Sequence, residues 1–220
     1  MDYQRKKVDG VEVLYSADWI HDLETSKHFN WYWHQACIVY THCDRTQHLL
    51  EIGVGTNLLA DLLKRRGWQV DTLDIDENKS PDYCGSAAEF DYSSHHVNVV
   101  LAFEVFEHIP LKTFEKVIDR LAESQVSAIH FSLPWNERAL FTASIKLPRV
   151  RELRFGLSVP RGRITTKAHF WELAKSDKLI QGKQLLSLQA LTSIVERRGF
   201  VLTPRDKIGC IQYFSAIRGD

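Results

Sequence analysis

The sequence predicts an α/β fold, and three features of the chain lead to this prediction. A short apolar strand at residues 48–52 is followed by a glycine turn and then by apolar residues at helical spacing. The apolar runs at residues 97–103 and 126–133 are nearly continuous, as in strands buried on both faces of a parallel sheet. The last two predicted strands are joined by a short turn, which favours an antiparallel hairpin. We therefore expect a three-layer sandwich around a seven-stranded, mostly parallel sheet with a C-terminal antiparallel hairpin.

The first half of the predicted sheet is a β-α-β unit. The strand at residues 48–52 leads into a helix before Gly67, in which four leucines recur at helical spacing: Leu58, Leu59, Leu62 and Leu63. A second strand at residues 68–73 ends in Asp74-Ile75-Asp76, and a third short strand is expected around residues 82–84. Such a unit implies parallel strands joined by right-handed crossovers.

The second half of the chain continues this alternation. The strand at residues 97–103 is followed by a helix from about residue 110 to residue 123, and then by the strand at residues 126–133. A further helix is expected at residues 186–198. The last elements are a strand at residues 200–202, a turn around residues 206–209 and a strand at residues 210–217.

Two regions fall outside the alternation of strands and helices. Residues 1–46 are expected to form an N-terminal helical cap, and the rings between His28 and His34 either pack in the core or cover the ligand site. Residues 136–183 form a long insertion after the fifth strand, where the chain can reach over the carboxyl edge of the sheet. Both regions are expected to belong to a single domain at residues 1–220.

The composition limits the classes of partner. Lysine plus arginine and aspartate plus glutamate both number 28, so no overall positive field attracts nucleic acid, and no nucleic-acid partner is expected. The four cysteines have no CxxC pair and no metal-site spacing, so no metal is expected and a reducing compartment is favoured. No apolar run has the length of a membrane span or a signal sequence, which predicts a cytoplasmic protein.

The turn after the first strand is a candidate cofactor site. Gly53 and Gly55 stand where the strand meets the helix, and the missing Cβ allows a ligand to approach the free amides there. A dinucleotide fingerprint would need a third glycine at Leu58, and Glu51 would repel a pyrophosphate, so a dinucleotide oxidoreductase is disfavoured. A cofactor with a cationic sulfonium and ammonium suits Glu51, and Asp74 is placed to bind ribose hydroxyls. A tight turn without a ligand remains the alternative.

Four short motifs follow one another over about residues 47–134: LLEIGVGTNLLADLLKRRG, VDTLDID, PDYCGSAAEF and VNVVLAFEVFEHIP. In this order they resemble the successive motifs of class I S-adenosylmethionine-dependent methyltransferases. The resemblance implies a Rossmann-like sheet, S-adenosylmethionine as the cofactor and S-adenosylhomocysteine as the product. It also implies ribose contacts at Asp74, with Asp76 as a second candidate, and adenine contacts at Ser86 and Ala87. The expected cofactor residues are Glu51, Gly53, Gly55, Asn57, Asp74, Ile75, Ser86, Ala87 and Phe103.

Two positions depart from the pattern of that family. Asn57 stands where the family usually has a third glycine, and asparagine is the non-glycine residue that best tolerates left-handed backbone geometry. Ser86 replaces a commonly acidic adenine contact. These departures motivate an alternative, a catalytically inactive, methyltransferase-like binding or scaffold protein. The leading prediction is an active enzyme that methylates an oxygen or nitrogen of a small-molecule or glycan-precursor acceptor. The basic residues between Arg138 and Lys167 indicate that this acceptor is anionic.

The segment after the fourth strand is the candidate reacting end. Ligands in open α/β sheets lie beyond the carboxyl ends of the strands, so residues 103–108 are expected to face the methyl donor. Methyl transfer needs chiefly proximity and alignment, with a base only where the acceptor must lose a proton. His108 titrates in the right range to be that base, and the alternative is a histidine that packs in the loop. Glu104 and Glu107 are weaker candidates, and Glu107 is a candidate for orienting His108.

The insertion after the fifth strand carries a local positive charge. Between Arg138 and Lys167 it has eight basic residues and one acidic residue, Glu152. Arginine suits phosphate and carboxylate groups, so the segment is predicted to be a basic lid over an anionic acceptor, with a solvated basic face as the alternative. The residues His169-Phe170-Trp171-Glu172 resemble a short HxWE element of some small bacterial methyltransferases. The candidate acceptor-binding residues are Arg149, Arg154, His169 and Trp171.

Overall fold

The computed structural model describes residues 3–8, 10–16, 22–145 and 153–219. The N-terminal region begins with an antiparallel pair of strands, β1 (Tyr3–Val8) and β2 (Val11–Ser16), and continues with the helix α1 (Ser26–His42). The prediction of a helical N-terminal cap is therefore wrong for residues 3–16, which form strands, and the helix α1 follows them. Gly10 has a φ of 80°, a turn geometry that glycine adopts readily, and the Asp-Gly pair between two β-rich segments is a typical hairpin signal.

From residue 48 onward, strands and helices alternate as the sequence predicts. The elements are β3 (His48–Ile52), α2 (Leu58–Arg65), β4 (Gln69–Asp74), β5 (Tyr83–Cys84), β6 (Val99–Phe103), α3 (Leu111–Ala122) and β7 (Ala128–Pro134). Each strand begins and ends within two residues of its predicted bounds. The five strands pair in parallel in the order β7-β6-β3-β4-β5.

The insertion after β7 is built from strands. The first two, β8 (Glu137–Ile145) and β9 (Leu153–Pro160), form an antiparallel hairpin. The next three form a small separate sheet in the order β10-β12-β11, and they are β10 (Trp171–Ala174), β11 (Lys178–Ile180) and β12 (Lys183–Ser187). A bridge between Trp135 and Leu173 ties this sheet to the end of β7.

The C-terminal elements complete the main sheet. They are α4 (Leu188–Glu196), β13 (Phe200–Ile208) and β14 (Ile211–Arg218). β14 pairs antiparallel with both β7 and β13, so the seven-stranded order is β13-β14-β7-β6-β3-β4-β5. β13 runs past its predicted end because its pairing with β14 continues, and it lies at the edge of the sheet. Pro204 is tolerated there, and the pairing resumes at Lys207 after an irregularity in register.

Helices cover both faces of the main sheet. Successive residues of a strand point to opposite faces, so Leu49 packs in the cluster that contains α1 and α2, whereas Leu50 packs with α3 and α4. Burial on both sides explains the continuous apolar runs, and it gives the three-layer sandwich that the sequence predicts. No helix in the described ranges combines the length and the apolar character that crossing a membrane requires.

The last strand is fastened to the end of α3 by Arg218. Its guanidinium donates hydrogen bonds to four backbone carbonyls, those of Leu121, Ala122, Ser124 and Val126, at distances of 2.9–3.1 Å. The last carbonyls of a helix have no partner within the helix, and they carry its partial negative charge. A cationic donor at this point therefore satisfies the helix end and holds β14 beside it.

We expect Arg218→Ala to lower the free energy of unfolding by about 1.5–3 kcal/mol, because it removes charge-assisted hydrogen bonds from partly buried carbonyls. Urea denaturation followed by circular dichroism measures the change. Arg197→Ala is the matched control, since Arg197 is exposed and its Nε donates to the carbonyl of Ser193 in its own helix, and its loss should stay within about 0.5 kcal/mol. Equal losses in the two variants would contradict this role of Arg218.

Candidate functional site

A cavity of about 460 Å³ lies at the carboxyl edge of the parallel strands. The loops that follow β3, β4, β5 and β6 all contribute to its wall, as expected for a ligand site of an open α/β sheet. Eight of the nine predicted cofactor residues line it: Glu51, Gly53, Gly55, Asp74, Ile75, Ser86, Ala87 and Phe103. The ninth, Asn57, lies outside the wall.

The glycine loop passes through three left-handed residues. The φ angles are 76° at Gly53, 53° at Gly55 and 61° at Asn57, so the asparagine adopts the geometry that the sequence predicts for it. A Cβ on Gly53 would lie 2.4 Å from a methyl group of Val105, closer than any real contact. The side chain of Asn57 donates to the carbonyl of Lys79 at 2.7 Å, so it holds the neighbouring loop.

Asp74 joins the loops after β3 and β4. One oxygen of its buried carboxylate accepts from the amide of Val54 at 3.0 Å and from the ammonium of Lys79 at 3.1 Å. The other oxygen accepts from the amide of Asp76 at 2.9 Å. Asp76 is also buried, and it caps the short helix Glu77–Lys79. Asp74 lines the cavity, whereas Asp76 lies outside the wall and supports the short helix that carries Lys79.

Glu51 contributes a buried acid to the cavity. Its Oε2 atom has no hydrogen-bond partner in the part of the chain that the structure describes. Burial raises the pKa of Glu51 to about 8, and the neighbouring Asp74 also raises it. A carboxyl group in this position gains a favourable partner when a cationic ligand enters the cavity.

The N-terminal region covers the cavity. His28, Trp31, Tyr32 and Gln35 of α1 line the wall, together with Leu23 just before that helix. Of the rings at residues 28–34, those of His28, Trp31 and Tyr32 therefore lie where they could cover a ligand. Val13 and Leu14 of β2 and the acid Asp22 complete this cover.

The basic insertion contributes little to the wall. Arg149 lies outside the described residues, and Arg154 belongs to β9 but its side chain is also outside the described part. Within the described portion of residues 136–172, only Thr166 and Ala168 line the cavity. Leu140 and Phe141 of β8 are 57% and 60% exposed, so this strand does not pack over the site.

The loop after β6 supplies ionisable groups at the opposite wall, where Glu104 and His108 line the cavity. Glu104 has a φ of 56°, and its carboxylate accepts a hydrogen bond from Ser132 Oγ at 2.9 Å. Burial raises the pKa of Glu104 to about 7. Burial lowers the pKa of His108 to about 3, and the adjacent His169 lowers it further, so the imidazole is neutral and weakly basic.

Glu107 and two histidines meet beside this wall. One ligand atom from each of Glu107, His108 and His169 lies within 4.8 Å of the others, a spacing close to that of a metal site. The rings of His108 and His169 meet edge to face, with their centroids 4.9 Å apart. Glu107 is fully buried, and neither of its carboxylate oxygens has a hydrogen-bond partner among the described residues. It therefore does not orient His108 through a hydrogen bond.

The residues of the HxWE element lie in different surroundings. The structure places Trp171 in the core, where its Nε1 donates to the carbonyl of Ile109 at 3.0 Å and its ring packs on Phe114. His169 is not on the cavity wall, and its Nδ1 lies 2.7 Å from Oε1 of Glu172. Glu172 is fully buried, and Asn136 donates to it at 2.6 Å. Glu172 was not among the predicted site residues, although the HxWE element contains it.

A cavity at the carboxyl edge of such a sheet, with a glycine loop and acidic strand ends, defines a Rossmann-like domain of the methyltransferase type. A family model described as a methyltransferase domain matches residues 39–204, and the chain belongs to this family. No curated protein sequence matches the chain at a significant level.

Several solved structures share the fold at low sequence identity. The glycopeptide N-methyltransferase MtfA, complexed with S-adenosylhomocysteine, has a TM-score of 0.52 at 14% identity, over 84% of this chain and 88% of that one. A magnesium protoporphyrin IX methyltransferase from Synechocystis PCC 6803, with bound SAM, has 0.54 at 10%, over 93% and 86%. An S-adenosylmethionine-dependent methyltransferase from Mesorhizobium loti has 0.55 at 9%, over 83% and 96%.

We expect Gly53→Ala to destabilise the fold by about 1–3 kcal/mol more than Gly67→Ala, because the added Cβ overlaps Val105 in addition to the strain at positive φ. Gly67 is the control, since its φ of 89° is also left-handed and its missing Cβ faces open space. Val105→Ala in the Gly53→Ala background should recover part of the difference. Urea denaturation measures all three variants, and equal losses at Gly53 and Gly67 would show that the close approach does not constrain the loop.

Proposed function

We propose that this protein is an S-adenosylmethionine-dependent methyltransferase that acts on an oxygen or nitrogen of a small-molecule or glycan-precursor acceptor. The observation that carries the proposal is the cavity wall, which combines the glycine loop, the Asp74 turn and the Oε2 atom of Glu51, which has no partner among the described residues. The structural relatives solved with S-adenosylmethionine or S-adenosylhomocysteine support the choice of cofactor.

The residues of the wall fit this cofactor. A volume of about 460 Å³ falls in the range of small-molecule sites. Gly53 and Gly55 leave the backbone open to the ligand, and the carboxyl group of Glu51 can pair with the cationic methionine part. Ser86 and Ala87 line the part of the wall assigned to adenine, and Phe103 lines the side that precedes the reacting end.

The chain contributes to methyl transfer mainly by positioning. When bound, the cofactor supplies an electrophilic methyl group, and the rings of α1 that line the cavity would reduce its contact with water. Where the acceptor must lose a proton, we assign the base to Glu104, because its pKa of about 7 matches neutral pH. The low pKa of His108 makes this histidine a weaker base than the sequence alone predicts.

The proposed unit is the whole chain, with residues 1–220 acting as a single methyltransferase domain in the cytoplasm. The basis for that compartment is the sequence, whose four cysteines contain no CxxC pair. An inactive binding or scaffold protein is the second candidate, since Asn57 and Ser86 depart from the family pattern. Transfer of a radiolabelled methyl group to a lysate fraction distinguishes turnover from binding alone.

We expect Gly55→Val to weaken S-adenosylmethionine binding at least 100-fold in calorimetry. A Cβ at this position would already lie 3.4 Å from Leu23 and 3.6 Å from the Tyr32 hydroxyl, so the larger side chain fills the ligand space. Gly67→Val is the control, because it imposes similar backbone strain away from the cavity. Normal binding by a folded Gly55→Val protein would exclude the loop as the cofactor site.

We expect the affinity for S-adenosylmethionine to rise with pH up to the pKa of Glu51, about 8 in the free protein. A cation beside the carboxylate lowers its pKa in the complex, so binding below that pH releases a proton. Affinity should then increase by up to about tenfold per pH unit between about pH 6 and pH 8. Calorimetry on Glu51→Gln should give a flat profile over this range, and an unchanged slope in that variant would assign the titration to another group.

A further inference from the structure

We propose that Glu107, His108 and His169 form a binding site for a divalent transition-metal ion at the edge of the cavity. The three ligand atoms lie within 4.8 Å of one another. A metal–ligand distance near 2.1 Å places neighbouring ligand atoms about 3.0–3.4 Å apart around one ion. The three side chains would therefore have to close by about 1–2 Å to surround an ion.

The first support is the environment of Glu107. Its side chain is completely buried, and both carboxylate oxygens lack a hydrogen-bond partner within the described ranges. Two other acids, Glu104 and Glu172, are close enough to affect it electrostatically. Buried polar groups are normally paired, and an acid near two other acids has most to gain from a cation.

The second support is the way in which His169 is held. Its Nδ1 is hydrogen-bonded to the buried Glu172, which also accepts from Asn136 and from the amide of Thr165 at 2.8 Å. A neutral ring that donates from Nδ1 has its lone pair on Nε2. A carboxylate that fixes the second nitrogen of a histidine is the usual support of a metal ligand.

The donor set indicates the kind of ion. Two imidazoles and one carboxylate suit zinc, manganese, iron or cobalt better than calcium or magnesium, which prefer oxygen ligands. Three protein ligands leave coordination positions open, and His108 lines the cavity, so an open position can face a ligand there. The sequence-based expectation of no metal depended on the spacing of the cysteines. His108 and His169 are too far apart in the sequence for a short ligand motif to indicate that Glu107, His108 and His169 meet.

The use of the ion rests on the proposed function. An ion at this wall would bind an acceptor oxygen, such as a hydroxyl, carboxylate or phosphate, beside the methyl donor. It would select an oxygen-bearing acceptor without any contribution from the arginines of the insertion. The existence of the site is independent of methyl transfer, because binding of the ion can be measured alone.

The test uses the full chain, stripped with a chelator and titrated with Zn²⁺ and Mn²⁺ by calorimetry, with metal content measured by mass spectrometry. We expect one equivalent of ion per chain, and at least tenfold weaker binding in Glu107→Gln and in His169→Gln. Glu172→Gln should weaken binding of the ion about 10- to 100-fold. This substitution leaves all three ligands in place and removes only the carboxylate that orients His169. His48→Gln is the matched control, since His48 also pairs with a carboxylate, that of Asp71, at 2.9 Å.

Two outcomes would overturn the site: no binding of either ion by the folded wild-type chain, or undiminished binding in both Glu107→Gln and His169→Gln. S-adenosylmethionine affinity is measured in parallel on the same samples. Ion binding without cofactor binding refutes the proposed function and retains the metal site. Cofactor binding without ion binding refutes the metal site and retains the proposed function.

Discussion

The contact between Gly53 and Val105 is the constraint on which the site depends. It brings the loop after β3 against the loop after β6, and a Cβ on residue 53 would lie 2.4 Å from a methyl group of Val105, so a larger residue there would force a shift. Asp74 attaches the loop after β4 to the same point through the amide of Val54 and the ammonium of Lys79. Three separate loops thus meet in one wall, and the cavity lies between this wall and the cover from α1.

Buried acids give this wall its chemical character. The chain as a whole has equal numbers of acidic and basic residues, yet Glu51, Glu104 and Glu107 are gathered at or beside one cavity. Burial raises the pKa of each of them, because water no longer stabilises the charged form. A cationic cofactor beside Glu51 and a metal ion beside Glu107 would each provide a positive partner for a buried carboxylate. Local burial, and not net charge, decides which ligands such a site favours.

Much of the fold could be predicted from the sequence, and the limits have physical causes. Strands such as β3 and β6 are buried on both faces, so their apolar runs mark their bounds closely. Elements defined by distant partners were harder to predict: β13 continues past Pro204 because β14 pairs with it, and Trp171 packs in the core against α3. The cofactor wall follows from local motifs, whereas the Glu107 cluster needs His169 from a different part of the chain. The charge of the insertion predicted a lid, but the described part of that insertion lies mostly away from the wall.

A crystal structure of the protein with S-adenosylhomocysteine would locate the cofactor site. We expect the ligand in the cavity beneath α1, with its amino group beside Glu51 and its ribose toward the turn that Asp74 and Asp76 form. A ligand bound elsewhere on the molecule, or one in the cavity whose amino group points away from Glu51, would overturn the assignment of Glu51 and Asp74 to cofactor binding.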